Sequence, residues 1–323
     1  MNSVQDGLDF DGRVVLVTGA ANGLGRAHAL EFARRGASVV ANDFGVAVDG
    51  TGGSHEGADR VVAEILAAGG RAVTSYDSVA TGEGGQAIVD VAMSTFGRVD
   101  AVVNNAGILR NNSFGELTHE QLLGVIETHL LGAFYVSQPA YRVMRGQGYG
   151  RFVFTSSGSG LFGLAHQANY ASAKAGIAGL SSVIALEGRA HGIRSNVVAP
   201  TAITRIAAGM RPEDISEEDL ALAARGDVDV ELPTAPAFVT PLVVFLASEG
   251  CDLTQRIYSA SNGRFARIFV GVTRGWYGPI DQPASSEDVR AHLAEIDDRT
   301  DYQIPTTVFD EAGGIREWFP REE

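Results

Sequence analysis

The sequence predicts an α/β fold: one doubly wound parallel sheet, as a single domain with a C-terminal extension. Three observations predict it. Short continuous apolar runs alternate with helix-patterned stretches from about residue 9 to residue 262, as expected of parallel strands buried on both faces. Gly19, Asp43, Ser78, Asn105, Ser157 and Pro200 all fall at or just after the ends of those runs, and an open α/β sheet holds its ligand there. A chain of 323 residues, 45% hydrophobic and 20% charged, has room for one large domain with a sizeable core.

The first strand is the apolar run 13–18. It enters the turn Thr18-Gly19-Ala20-Ala21-Asn22-Gly23-Leu24-Gly25. A helix follows over 26–35, ended by Gly36, and then a strand over 38–42 with Asp43 at its tip. Strand, Gly-rich turn, helix, strand and acid make a dinucleotide-binding βαβ unit of the Rossmann type. Its glycines let backbone approach a pyrophosphate at the positive helix end. A carboxylate at Asp43 accepts from both ribose hydroxyls and repels a 2′-phosphate. Phe44 and Gly45 follow it, not Arg, so NAD is favoured over NADP.

The Gly-rich segment 45–57 is longer than an ordinary connection; it either edges the adenosine site or is a mobile loop. A helix over 58–68 leads to a strand over 71–76, which ends in Asp77-Ser78-Val79 beside the expected adenine. A helix over 83–96 leads to a strand over 100–103, then Asn104-Asn105-Ala106-Gly107. Thr118 with Gln121 has capping-box spacing and opens a long helix over 120–144 that contains His129. A strand over 151–155 ends in Ser156-Ser157. The loop 158–163 precedes the helix 168–189, and a strand over 193–198 runs into residues 199–204.

The acidic stretch 205–236 reads as a helical flap or a solvated loop. A short helix over 240–247 and a last strand over 256–260 complete the domain, 1–262. The extension, 263–323, is expected to pack on the core or on an oligomer interface. It offers a strand over 264–270 and an amphipathic helix over 286–297 with Val289, Leu293 and Ile296 inward.

The net charge of −14 argues against nucleic acid and anionic membrane surfaces as partners. No apolar stretch is long enough to span a bilayer. The first residues lack the pattern of a signal peptide, and the last three are no peroxisomal address. The single cysteine, Cys251, rules out an internal disulfide; a reducing, cytoplasmic setting is expected. The histidines show no metal-ligand spacing with Cys251 or carboxylates, so no metal is expected.

Of 25 Lys and Arg residues one is Lys, Lys174; the rest are Arg. A chain that uses Arg nearly everywhere keeps its one ammonium for something a guanidinium cannot do. Tyr170 lies four residues earlier and shares its helix face. A nearby cation is expected to lower the phenol's pKa, so that it trades protons with an alcohol or carbonyl.

Thr18-Gly19-x-x-x-Gly23-x-Gly25, Asn104-Asn105-Ala106-Gly107, and Ser157 thirteen residues before Tyr170 with Lys174 four after it resemble the short-chain dehydrogenase/reductase family. Within it, Asn42-Asp43 with the Gly-rich insert, Asn105-Ala-Gly-Ile-Leu-Arg110, His129-Leu-Leu-Gly132, Gln167-Ala-Asn-Tyr170 and Leu186-Glu-Gly-Arg189 look like one branch. That branch is the (3R)-hydroxyacyl-CoA dehydrogenase domain of multifunctional enzyme type 2, also called type 4 17β-hydroxysteroid dehydrogenase, with its bacterial stand-alone relatives. Hydratase and sterol-carrier parts are absent from this sequence.

The resemblance implies an acid/base role for Tyr170. It implies that Lys174 lowers the Tyr170 pKa and holds the nicotinamide ribose, and that Ser157 binds the substrate oxygen. Ser156 is out of register. It places Gly19, Asn22, Gly23, Leu24, Gly25, Asp43, Asp77, Ser78, Val79, Asn105, Ala106 and Gly107 on the cofactor, and Pro200, Ala202, Ile203 and Thr204 toward its nicotinamide end. His129 stands where many members have Asn; it is either a proton relay or a half-buried helix residue.

The implied activity is NAD-dependent oxidation of a secondary alcohol, a (3R)-3-hydroxyacyl-CoA with a fatty or steroid tail. The negative charge leaves a free hydroxysteroid or small hydrophobic alcohol as the alternative. Arg110 and Arg205 are each either a structural ion-pair partner or a candidate for CoA phosphates. A non-enzymatic NAD sensor would not need Ser157, Tyr170 and Lys174 together. The helices 120–144 and 168–189 resemble those that pair subunits in the family, so a homodimer or homotetramer is expected.

Overall fold

Parallel pairing sets the frame of the molecule. The computed structural model describes residues 8–202, 215, 217–223 and 233–319. Strand β1 (Val14–Thr18) pairs with both β2 (Ser38–Asn42) and β4 (Ala101–Asn104), and β2 pairs with β3 (Arg71–Ser75). On the other side β4 pairs with β5 (Gly150–Thr155), β5 with β6 (Ile193–Thr201), and β6 with β7 (Arg256–Ser261). All six pairings are parallel. With β8 (Arg264–Ile268) the sheet has eight strands in the order β3-β2-β1-β4-β5-β6-β7-β8. Asn262 and Gly263 join β7 to β8 with φ of 54° and 78°. A two-residue link of that hand makes an antiparallel hairpin.

Each strand of the sheet's centre is buried on both faces, which is why it reads as an unbroken apolar run. Val15 and Val17 belong to one core cluster, Val14 and Leu16 to the other. The first core is closed by α1 (Gly23–Arg34) through Phe32, α2 (Glu56–Ala67) through Val61 and Ile65, and a later helix, Thr240–Ala247, through Val243 and Leu246. The second is closed by α3 (Gly82–Phe96) through Ile88, by α5 (Gly132–Gln147) through Val136 and Met144, and by α7 (Ala168–Gly188) through Ile177 and Ile184. Each fully buried Val, Ile, Leu or Phe contributes roughly 1.5–3 kcal/mol of transfer free energy.

Between α3 and α5, the Thr118–Gln121 capping box starts α4 (His119–Ile126). The single helix expected over 120–144 is interrupted: Glu127–Leu131 is a π-helical turn between α4 and α5. The expected loop 158–163 holds one helical turn, α6 (Gly158–Phe162), because the Ser157 hydroxyl accepts from Ser159 N and caps it. Within the expected flap, α8 (Glu217–Ala223) is helical; the rest of that stretch up to residue 232 lies outside the described residues, apart from residue 215. The helix Thr240–Ala247 is α9.

The chain divides into two compact units, Met1–Arg267 and Ile268–Glu323. In the second, β9 (Val272–Thr273) pairs antiparallel with β10 (Tyr302–Gln303). The amphipathic helix expected over 286–297 is two short ones, α10 (Ser286–Ala291) and α11 (Leu293–Ile296), broken at His292. The His292 ring stacks on Trp276 at 4.1 Å. Val289 and Leu293 are 44% and 51% exposed, not inward. Among the described residues of this unit only Gly314 is buried, so there is no interior for them to face. A last helix, α12 (Val308–Trp318), accepts Tyr277 Oη–H on Ile315 O at 2.8 Å.

Candidate active site

The strand order reverses between β1 and β4, and a cavity opens at the carboxyl ends of the strands there. Gly19, Asn22, Gly23, Leu24, Asp43, Asp77, Ser78, Val79, Asn105, Ala106 and Gly107 all line it. Gly25 lies beneath: a Cβ on it would fall 2.1 Å from Gly19 O. Gly19 has φ +66°, and its Cβ would fall 2.8 Å from Ala106 Cα. Both positions therefore require glycine. Asn22 makes no side-chain cap on α1, which leaves the first helical N–H groups for an anion.

The cavity's polar groups are held in place by backbone. Asp43 accepts Ala21 N at 2.9 Å and Gly45 N at 2.8 Å, one on each carboxylate oxygen. A carboxylate keeps further lone pairs for hydroxyl donors. Asn105 donates to Thr18 O and Gly19 O at 3.1 and 3.2 Å, and Thr18 Oγ1 accepts Asn105 N and Ala106 N. Asn42 donates to Asp77 O at 2.9 Å. The set suits a nicotinamide dinucleotide: an uncapped helix end for the pyrophosphate, a fixed carboxylate for a ribose, and glycines where backbone must come close.

A second cluster forms where α7 meets β5 and the π turn. Lys174 is 3% exposed and donates through Nζ to Thr155 O at 2.6 Å. Its ammonium lies 5.5 Å from the centre of the Tyr170 ring. His129, on the π turn, meets that ring edge-on at 5.1 Å between centroids. π turns recur at functional sites because they re-aim side chains. The Ser157 hydroxyl caps α6 beside the same ring, whereas Ser156 is buried and donates to Lys174 O at 2.8 Å.

The protonation of this cluster is set by burial. Burial brings the Lys174 ammonium down to about 7. Burial pushes the Tyr170 phenol up, and the neighbouring Ser157 hydroxyl pulls it the other way. Desolvation of the phenolate is the larger of these two influences. Burial, then the Lys174 charge, hold His129 well below the usual imidazole value, against a ring bond to the Ile108 backbone. His129 Nε2 sits 2.8 Å from Ile108 O, and its Nδ1 is buried without a partner. Asn104, His129 and Lys174 bound one small space.

Pro200 stands near the end of β6, opposite Ala260. Ala202 is partly buried against the first core. Ile203, Thr204 and Arg205 lie outside the described residues. Arg110 lines the cavity, but its guanidinium is occupied: Nε donates to Asp49 O at 2.7 Å and Nη1 to Glu120 O at 3.3 Å. Sequence reasoning missed Thr18 and Thr155, whose oxygens organise Asn105 and Lys174, and Asn169, whose side chain spans two segments. The insert's Val46, Val48 and Gly50 line the cavity.

The model of the family described as short chain dehydrogenase matches residues 13–215. The chain is 42% identical to peroxisomal multifunctional enzyme type 2 of Mus musculus, over 96% of its own length and 40% of the mouse enzyme's. It is 39% identical to a hydroxyacyl-CoA dehydrogenase of Mycobacterium tuberculosis, over 74% of each. The crystal structure of a short chain dehydrogenase from Mycobacterium avium superposes with a TM-score of 0.73 at 37% identity, covering 90% of this chain and 98% of that one. Among the described residues, no helix is long and apolar enough to cross a membrane. The chain belongs to the short chain dehydrogenase family: it is an oxidoreductase that works between alcohol and ketone with a nicotinamide cofactor.

Proposed function

We propose that this enzyme oxidises the 3-hydroxyl of a (3R)-3-hydroxyacyl-CoA with NAD, and that Tyr170, Ser157 and Lys174 carry the reaction. The carrying observation is the meeting of a buried ammonium, a phenol and a serine hydroxyl at the carboxyl end of β5, next in the sheet to β4, whose end borders the cavity. When bound, the nicotinamide supplies the hydride acceptor. Tyr170 Oη takes the alcohol proton, and Ser157 Oγ donates to the substrate oxygen as charge develops there. Lys174 supplies the positive charge that stabilises the phenolate form of Tyr170, the form that accepts this proton. In the same reading the unpartnered Nδ1 of His129 passes the proton onward.

Asp43 supports NAD over NADP. Two backbone N–H bonds keep it in place on the cavity wall, where a 2′-phosphate would meet its charge. The substrate class rests on the two relatives named for multifunctional and hydroxyacyl-CoA dehydrogenase activity. One observation favours a second reading, a free hydroxysteroid or small hydrophobic alcohol. The Arg110 guanidinium is spent on backbone carbonyls and the net charge is −14, which leaves CoA phosphates few partners. Pairing of the outer faces of α4, α5 and α7 in a homodimer or homotetramer belongs to the proposal; exposed Leu122, Phe134 and Val183 support it.

The test is one initial-rate screen of NAD and NADP against (3R)- and (3S)-3-hydroxyacyl-CoA thioesters and free hydroxysteroids. Saturable oxidation of the 3R thioester with NAD is the expected result. Turnover confined to free steroids replaces the proposal with the second reading.

A further inference from the structure

The insert after β2 is fastened to a residue whose backbone carbonyl also meets the helix that carries Tyr170. Leu109 N donates to Val48 O at 2.8 Å, and Arg110 Nε donates to Asp49 O at 2.7 Å. A Cβ on Gly50, at φ +86°, would lie 3.1 Å from Ile108 Cδ1 and 3.2 Å from Arg110 Nη2. The insert thus lies flat on the segment 108–110. On the far side of the guanidinium, Nη1 donates to Glu120 O. The Glu120 carboxylate is 3.7 Å away and 89% exposed, so the ion pair adds little. A Cβ on Gly124 would fall 2.8 Å from Nη1. Glycine weakens a helix interior, and here its absent side chain is the space the guanidinium fills.

The Arg110 backbone continues the connection. Its carbonyl accepts Asn169 Nδ2 at 2.9 Å, and the same amide donates to Gln121 O at 3.0 Å. Asn169 Oδ1 accepts Tyr170 N at 2.8 Å. Asn169 is 0% exposed, so each of these groups loses its partner if the amide is removed. Insert, α4 and the start of α7 are far apart in sequence and meet at Arg110.

We infer that Arg110 is a positioning residue: it clamps the insert over the cofactor cavity and, through Asn169, joins that clamp to the backbone of Tyr170. Cofactor affinity and turnover are thereby coupled through one residue, whose side chain holds the insert and whose carbonyl holds Asn169. The planar fork matters, because it reaches carbonyls of two segments at once, which an ammonium on a flexible stem does poorly. This inference rests on the cofactor occupying the cavity described above.

The experiment is a titration with reduced cofactor, read by its fluorescence, on wild type, Arg110→Ala, Arg110→Lys, Asn169→Ala and the double alanine variant, alongside kcat. Absence of binding to wild type sinks the cofactor-site reading and this one with it. With wild-type binding in hand, Arg110→Ala is expected to raise Kd about tenfold or more, as for loss of bonds to shielded carbonyls, and Arg110→Lys to recover part of that loss. Amide exchange at Leu109 N in the cofactor-free protein is expected to quicken in both Arg110 variants. Asn169→Ala is expected to lower kcat more than it raises Kd. The double variant is expected to lose less in kcat than the product of the single losses. An Arg110→Ala Kd within about twofold of wild type, unchanged exchange at Leu109, or strictly multiplicative losses overturns the coupling. Should Arg110→Ala fail to fold, Arg110→Lys carries the same three readouts.

Discussion

The cavity between β1 and β4 and the cluster around Tyr170 share one sheet edge and are built on opposite principles. The cavity is made by backbone: Gly19 and Gly25 exist to lack a Cβ, and Asp43 and Asn105 spend bonds on main-chain groups, chiefly those of the turn after β1. The cluster is made by side chains taken out of water. Its members keep spare capacity: Lys174 has one protein acceptor for a three-donor head, and His129 Nδ1 has none. The first region is already satisfied and waits for a shape. The second is unsatisfied and waits for a proton.

The sharpest way to break this contrast is Tyr170→Phe. Loss of about 10²–10⁴-fold in kcat, with cofactor Kd little changed, is expected from steady-state kinetics beside fluorescence titration. A collapse of cofactor affinity instead would merge the two regions. Next is Lys174→Met. The folded pKa of about 7 lies below the ordinary 10.5, so the unfolded chain holds more protons between those values. Wild-type stability therefore rises with pH across that window, by up to about 1.4 kcal/mol per pH unit, and is lowest below it. Urea unfolding at a series of pH values should show that rise in wild type and none of it in the variant.

Gly19→Ala tests the backbone region. The positive φ and the 2.8 Å approach to Ala106 predict a stability loss of about 1–3 kcal/mol and at least about tenfold weaker cofactor binding. Normal binding with an intact melting curve would show that the turn does not need its glycine. The smallest effect is expected for Asp43→Asn, which keeps the acceptor and removes the charge. The ratio of kcat/KM values for NAD over NADP should fall about tenfold, a change of about 1.4 kcal/mol. An unaltered ratio would place cofactor choice elsewhere.

What could be read in the sequence follows the same division. Strand runs, the Gly-rich turn and the position of Asp43 were legible because their requirements are local: period, absent Cβ, charge at a strand end. The Thr118 capping box was legible for that reason too. Ser157 and Tyr170 could be paired by spacing, since α6 and α7 carry them toward each other. The π turn under His129 was not legible, because no residue type marks the added backbone bond. Nor was the direction of the Tyr170 shift, since a spacing of four residues gives proximity to Lys174 but not the depth of burial. Arg110 could be read as an ion-pair partner or a phosphate ligand, because a sequence shows its charge and hides the carbonyls of Asp49 and Glu120. Val289 and Leu293 had helical spacing, but the second compact unit offers them no interior.

The burial of Lys174 reaches beyond the reaction. With every other basic side chain an Arg or His, an amine-reactive ester meets no lysine on the folded surface. Denaturation uncovers one such amine per chain. The mass gained beyond the tag on the terminal α-amine would therefore count open molecules, one further tag for each copy that has come apart.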